Sequence, residues 1–366
     1  MEKAHGILHR VTEGLYGYHG WPSVCRDGRG RLYAVYSGGR VRHICPFGKT
    51  VMQISDDGGR SWCPPMVIND SPLDDRDAGI LCLDGGDETH PAHLLVSWFV
   101  HPAEVYRTAY VREVCGGGTP GEDAVCRAQL DSWSELSEAQ QQGGSYVMRS
   151  DDGGVTWSER IRVPVSSPHG PGLLADGTIL YLGKSMYSDR EKPGVIACWA
   201  SADGGRSWER RGEVAFPAGY GAHNFHEPHV IELPDGRLLG AIRSQEAPSW
   251  HNFTIFTCFS EDGGRSWTTP QSLDVSGSPP HLLLHSSGKV ICTFGRREKP
   301  FGEYALISAD GGRSWEREVV IDDRPQEGDL GYPATVELDD GRLLTVYYQR
   351  YEDDRKPSVL YTVWSL

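Results

Sequence analysis

The sequence predicts an all-β fold, a six-bladed β-propeller of four-stranded antiparallel blades with one long loop and helix insertion in blade two. Three observations predict it. A near-identical turn segment recurs five times along the 366 residues. Between these turns lie six paired strand runs joined by tight turns. The 45 Gly and 23 Pro carry no collagen period, so they mark many turns and hence many short strands.

The five segments are residues 55–62 (SDDGGRSW), 150–157 (SDDGGVTW), 201–208 (SADGGRSW), 260–267 (SEDGGRSW) and 308–315 (SADGGRSW). Each follows a strand-like run. The Asp accepts backbone N–H groups within a turn, a Gly supplies positive φ, and the Trp buries its ring on neighbouring strands. A second repeat begins at Gly20, Arg76, Pro168, His226, Pro279 and Gly331, with return strands ending near Arg40, His101, Lys184, Arg243, Arg297 and Arg350. Units of roughly 50 residues with about four strands each match propeller blades. The last unit lacks the Asp turn, and the run around Ile7 and Leu8 is placed to add the strand that closes the ring. The whole chain, 1–366, reads as a single propeller domain, since no linker interrupts the register.

Residues 102–144 interrupt blade two between its second and third strands. Cys115–Gly121 reads as a flexible loop, and Leu130–Leu136 as a helix with Ser132 and Glu135 spaced like a capping box. The expectation is a wall or lid over the channel mouth, with Trp133 or a nearby polar residue limiting what fits there. A contact between subunits of a homo-oligomer is the alternative.

Composition excludes several classes. The hydrophobic fraction of 38% with 23% charged residues describes a globular chain with a core, not a disordered one. The net charge of −14 argues against a nucleic-acid binder. No apolar run approaches the ~20 residues of a membrane span, and the N-terminal residues hold no signal-peptide core. The nine cysteines form no C-x-x-C pair, so reduced thiols in a cytoplasmic protein are expected, with no metal site and no cofactor.

Strand parity then locates the working face. First strands start, and second strands end, on the face opposite the Asp turns and the D-G turns. First-strand starts bring Trp21, Asp77, His169, Glu227, His229, His281 and Tyr332 there. Second-strand ends bring Arg40, His43, Lys184, Arg243 and Arg297. Cations gathered in an acidic protein point to an anionic ligand. Each side chain also has a structural reading: ion pairs for the arginines, core packing for Tyr332, and hydrogen bonds between blades for His169, His229 and His281.

With these motifs the chain resembles the sialidase (neuraminidase) superfamily, whose Asp box, or bacterial neuraminidase repeat, is the five-fold motif. The resemblance spans essentially the whole chain. It implies an exo-glycosidase acting on a terminal acidic sugar, sialic acid or a related 2-keto sugar acid, in a glycan or small sugar-acid substrate. The stretch from Glu227 to Arg243 resembles the one that carries the catalytic Glu and the second arginine. Gly295-Arg296-Arg297 resembles the third-arginine site, and Gly331-Tyr332-Pro333 the nucleophilic tyrosine. A neutral phenol suits an anionic sugar, which would repel a carboxylate; its unperturbed pKa near 10 calls for a base, supplied by Glu227.

Two departures stand out. Where the family has Arg-Ile-Pro, this chain has Gly20-Trp21-Pro22, leaving Arg40 or Arg42 to reach in. Residues 41–54, where the acid Asp belongs, contain no acid but do contain His43. Either His43 or an acid of the 74–77 stretch, Asp77 foremost, donates the proton. The expected roles are thus Tyr332, Glu227, His43 and Asp77 in catalysis, with Arg40, Arg243, Arg297, Trp21, His169 and His229 around the substrate. A uronate-directed lyase or other glycosidase using His and Tyr, or a non-catalytic glycan-binding propeller, are the alternatives on the same scaffold.

Overall fold

A computed structural model describes residues 3–87, 89–246 and 251–366. The chain opens with β1 (Lys3–His9) and then lays down its blades in order. Blade one is β2 (Tyr18–Arg26), β3 (Leu32–Arg40), β4 (Lys49–Ser55) and β5 (Met66–Asn69). Blade two is β6 (Asp75–Asp84), β7 (His93–Val100), β8 (Gly144–Ser150) and β9 (Ile161–Val163). Blade three is β10 (Gly172–Leu173), β11 (Ile179–Lys184), β12 (Ile196–Ser201) and β13 (Glu209–Glu213). Blade four is β14 (Phe225–Glu232), β15 (Leu238–Gln245), β16 (Phe253–Ser260) and β17 (Gln271–Ser272). Blade five is β18 (His281–Leu284), β19 (Val290–Arg296), β20 (Gly302–Ser308) and β21 (Arg317–Asp322). Blade six is β22 (Gly331–Glu337), β23 (Leu343–Arg350) and β24 (Pro357–Trp364), completed on its outer edge by β1. Pairing of β1 with β24 ties the two ends of the chain together, which closes the ring.

Six apolar clusters hold the ring. Each lies between neighbouring blades, for example Leu32, Ala34 and Val51 of blade one against Val336, Leu344 and Val346 of blade six. A seventh cluster, of Tyr18, Trp21, Tyr332 and Tyr348, sits at the axis.

The Asp boxes fall at the ends of β4, β8, β12, β16 and β20. The register there puts Ser55 opposite Leu32 and Lys49 opposite Gly38, so box and mouth lie on opposite faces. In the third box Ser201 Oγ accepts Gly205 N–H at 2.8 Å and donates to Asp203, which accepts from Ser207 N at 2.9 Å and Ser207 Oγ at 2.6 Å. The second glycine of each box has a further role. At Gly59, φ is +86 and a Cβ would lie 2.3 Å from Leu344 of blade six. Gly154, Gly205, Gly264 and Gly312 similarly face Met52, Leu95, Cys198 and Leu239, each on the preceding blade, at 2.5–2.7 Å. The box therefore shapes its own turn and also lets adjacent blades touch.

The insertion is more helical than expected. It carries α1 (Ala103–Arg107), α2 (Val111–Gly116) and α3 (Pro120–Ser132). The capping box is Thr119 with Glu122, not Ser132 with Glu135, because Pro120 at the first helical position favours a start there. The expected Cys115–Gly121 loop is the end of α2 and the start of α3. Trp133 is 1% exposed, with its ring 5.4 Å from that of Tyr106, so it anchors the insertion and does not select a ligand. No helix among the described residues is long and apolar enough to cross a membrane.

Paired glycine substitutions test the contact between blades. Gly58→Ala meets nothing within 4 Å and bears only left-handed strain, about 1–2 kcal/mol. Gly59→Ala adds the clash with Leu344 and loses about 1–3 kcal/mol more, read as a lower urea midpoint. Equal midpoints would mean that the blades are not in contact through the box.

Candidate functional site

The mouth is built by one backbone device used four times. The innermost strands β2, β6, β14 and β22 each break register against their partners at Gly20/Ser23, Arg76/Gly79, His226/His229 and Gly331/Ala334. At these bulges Trp21, Asp77, Glu227 and Tyr332 adopt φ of 54, 52, 47 and 53. Such backbone costs about 1–3 kcal/mol per residue and persists where the surroundings enforce it. Pro22, Pro228 and Pro333 follow three of them, so no N–H is orphaned by the bulge. Blade three makes the same turn with Gly170 before Pro171.

Three of these residues meet in a cavity of about 330 Å³. Tyr332 Oη donates to Glu227 Oε1 at 2.6 Å, and Arg243 Nη1 donates to Glu227 Oε2 at 2.5 Å and to Tyr332 Oη at 3.3 Å. Burial alone would raise the Glu227 carboxyl, but Arg243 and the Tyr332 hydroxyl outweigh it and hold it down at about 2. Burial, with the charge of Glu227, pushes the Tyr332 phenol well above its ordinary value. Arg297 lies over the Tyr332 ring at 5.3 Å and donates to Tyr348 Oη at 3.1 Å. Its neighbour Arg296 turns outward, onto the Tyr304 ring and Glu318.

Asp77 lines the same cavity, 7% exposed, with Oδ1 lacking any partner among the described residues. Burial raises its carboxyl to about 7, against the opposing charge of Arg76. His43 also lines the cavity, its Nδ1 2.9 Å from both Asp329 Oδ1 and Tyr18 Oη. Burial lowers the imidazole, and the bond to Asp329 partly opposes this. Lys184 is spent on structure, donating to Ala222 O at 2.9 Å, Phe225 O at 2.8 Å and His226 Nδ1 at 3.0 Å; burial lowers it to about 8.

Four expected substrate contacts are corrected. Arg40 is fully buried and donates to Asp74 at 2.5 and 3.0 Å, so it does not reach the cavity. Trp21 is also fully buried, a floor carrying the Arg40 and Arg76 guanidinium groups at 4.6 and 4.3 Å. His169 and His229 belong to the axial channel below, with rings 5.9 Å apart, and line a second cavity on the far side. His229 and His281 bond the next blade, accepting Leu282 N–H at 3.0 Å and Thr335 N–H at 3.3 Å. Burial lowers all three imidazoles. Among the described residues no cluster of three or more His, Cys, Asp or Glu is placed to hold a metal ion.

Two residues escaped the sequence reading. Arg76 lines the cavity beside Asp77, stacked on the Trp21 ring that occupies the place of the missing arginine. Its signal in the sequence is its place beside Asp77 at the start of a first strand. Asp329, in the loop before β22, gathers His43, Tyr18 and Tyr348, and no local pattern marks it.

Fold and mouth together define a six-bladed β-propeller with Asp-box turns on one face and an arginine-lined cavity on the other. The BNR repeat-like domain family matches residues 126–345, and the chain belongs to that family. Among solved structures, a Dyadobacter fermentans protein of unknown function is similar over 99% of this chain and 98% of its own, at 20% identity and TM-score 0.76. The NanB sialidase of Streptococcus pneumoniae is similar over 98% of this chain and 70% of its own, at 13% identity and TM-score 0.70. An alpha-L-arabinofuranosidase of Fusarium graminearum is similar over 98% and 97%, at 12% identity and TM-score 0.61. No curated protein matches the chain in sequence.

Arg40 and Asp74 give the structural prediction of the site. Arg40→Ala strands a fully buried carboxylate and is expected to cost about 3–5 kcal/mol in denaturant unfolding. A loss below about 1 kcal/mol would show that Arg76 alone neutralises Asp74.

Proposed function

We propose that the protein is an exo-glycosidase that removes a terminal acidic sugar, an exo-α-sialidase or a related 2-keto sugar acid hydrolase. The observation that carries this is the 2.6 Å hydrogen bond from Tyr332 to Glu227 inside a cavity walled by Arg76, Arg243 and Arg297. Guanidinium groups bind a carboxylate bidentately, and three around one pocket favour a sugar acid over a neutral sugar.

In this reading Tyr332 attacks the anomeric carbon. Burial and the charge of Glu227 hold the Tyr332 phenol well above its ordinary value, while Arg243 and the Tyr332 hydroxyl hold Glu227 well below its own. Tyrosinate is therefore absent at rest, and the proton passes to Glu227 as the new C–O bond forms. Asp77, near 7, is half protonated at neutral pH and donates to the leaving oxygen. His43, held below its ordinary value, is the poorer donor there.

Hydrolysis of an aryl glycoside of a 2-keto sugar acid tests the assignment. Tyr332→Phe is expected to lower kcat at least about 10³-fold. Full activity in that variant would overturn it, and so would release of an unsaturated-uronate chromophore from a uronate-containing glycan assayed alongside, the latter in favour of a lyase.

The acid is separable by pH and leaving group. The protonated form of Asp77 is lost as pH rises through about 7, so kcat for a poor leaving group falls above it; Glu227 stays ionised and adds no acid limb. Asp77→Asn should cost about 10²–10⁴-fold on an alkyl glycoside, far less on a nitrophenyl one, and remove the alkaline limb. The same pattern in His43→Ala, with Asp77→Asn unaffected, would transfer the role to His43.

A further inference from the structure

Glu303, on β20, is a buried acid that the chemistry above does not use. It is fully enclosed, and neither carboxyl oxygen has a hydrogen-bond partner among the described residues. Strand register places it opposite Gly295 of β19 and Asp322 of β21. Gly295 leaves the room that the side chain uses: a Cβ at 295 would lie 3.3 Å from Glu303 Oε2 and 2.5 Å from Gly331 Cα. The carboxyl therefore sits behind Gly331, which leads into the strained turn of Tyr332. Arg297 Nε comes to the same place, 3.8 Å from where a Cβ at 331 would be.

Arg297 differs from the other buried guanidinium groups. Arg40 and Arg76 pair with Asp74, and Arg243 pairs with Glu227. Arg297 forms no ion pair among the described residues; it donates to the Tyr348 hydroxyl, and its Nε has no partner. Glu303 is close enough to act on it, yet the two do not pair. Asp322 is the reason. It accepts from Arg324 at 2.6 Å, Tyr347 at 2.8 Å and Gln349 at 3.0 Å, so the negative charge of this corner already rests there. The charged groups that face Glu303 are Asp322 from β21 and Arg297 from the loop between β19 and β20, while Gly331 of β22 brings only its N–H. Burial and the charge of Asp322 outweigh Arg297 and push the Glu303 carboxyl well above its ordinary value. An ionised carboxylate with no donors is too costly to keep there.

We propose that Glu303 is a positioning residue that works as a neutral acid: it backs the Gly331–Tyr332 turn and leaves the charge of Arg297 free for the carboxylate of an acidic sugar. The choice of ligand rests on the glycosidase reading. Ionised, the same side chain would compete with that carboxylate for Arg297; neutral, it fills the space and does not compete.

Two variants separate shape from charge. Glu303→Gln keeps the shape of the neutral acid and cannot ionise, and Glu303→Ala empties the space behind Gly331. Urea unfolding at pH 5.5, 6.25 and 7 gives the first readout. A carboxyl held protonated in the fold costs stability as pH rises above its unfolded value of about 4.3. The unfolding constant of the wild type, relative to that of Glu303→Gln, is thus expected to rise about tenfold per pH unit. A flat ratio would mean that Glu303 is ionised in the fold, and would overturn the proposal. Binding of N-acetylneuraminic acid at pH 6, followed by NMR titration, gives the second. Glu303→Gln is expected to match the wild type within about twofold, and Glu303→Ala to bind about tenfold more weakly with unchanged circular dichroism. Equal losses in both variants, or none in Glu303→Ala, would overturn it. Acid bound in this pattern without hydrolysis of an aryl glycoside would retain the role of Glu303 and remove the glycosidase reading; hydrolysis with an unchanged KM in Glu303→Ala would do the reverse.

Discussion

Buried guanidinium charge is what the centre of this molecule must accommodate. Arg40, Arg76 and Arg243 are buried and Arg297 is half-buried, all around one axis. Each is costly out of water unless an acid or an aromatic face meets it. Asp74 serves Arg40 and Arg76, Glu227 serves Arg243, and Asp329 reaches Arg297 through Tyr348. The Trp21 ring lies under two of the four. The −14 chain thus spends part of its acid on holding cations where its own field would not collect them.

The partners differ in what they leave free. Asp74 is consumed, accepting from Arg40, Gly48 and Tyr106. Glu227 instead keeps one oxygen for the Tyr332 hydroxyl. The same chemistry, a carboxylate beside an arginine, is fully enclosed by structural donors in one place and shared with a cavity-lining hydroxyl in the other. The difference lies in what else is within hydrogen-bond distance. Asp77 completes the contrast: its neighbours do not satisfy it, so burial prevails and its proton is retained near neutral pH.

Holding these groups in place requires rigidity, and the ring supplies it in two ways. Apolar clusters fill every interface between blades, and the box glycines allow close approach on the far face. The bulges place strained residues at the mouth, where the packing on both sides prevents relaxation. The insertion adds a third element, pinned by ion pairs to blades one and six.

The repeat made the blades legible in the sequence, because each Asp box is a local turn whose hydrogen bonds lie within eight residues. Strand parity did the same for the mouth, since alternation in direction is a consequence of antiparallel pairing, and Tyr332, Glu227, Arg243 and Arg297 lie where it places them. What parity does not determine is how deep a side chain sits. Arg40 and Arg76 both belong to the mouth by position, yet Asp74, itself brought in by the next blade, draws the first inward and leaves the second along the cavity. Trp133 was hidden for the same reason: its partner Tyr106 is far along the insertion, and only folding makes them neighbours. Asp329 sits in a loop with no pattern, and its meaning comes from His43, 286 residues away. Turn chemistry and strand direction are local, so the sequence determined them; charge pairing and burial depend on which distant residues meet, and only the tertiary structure decided those.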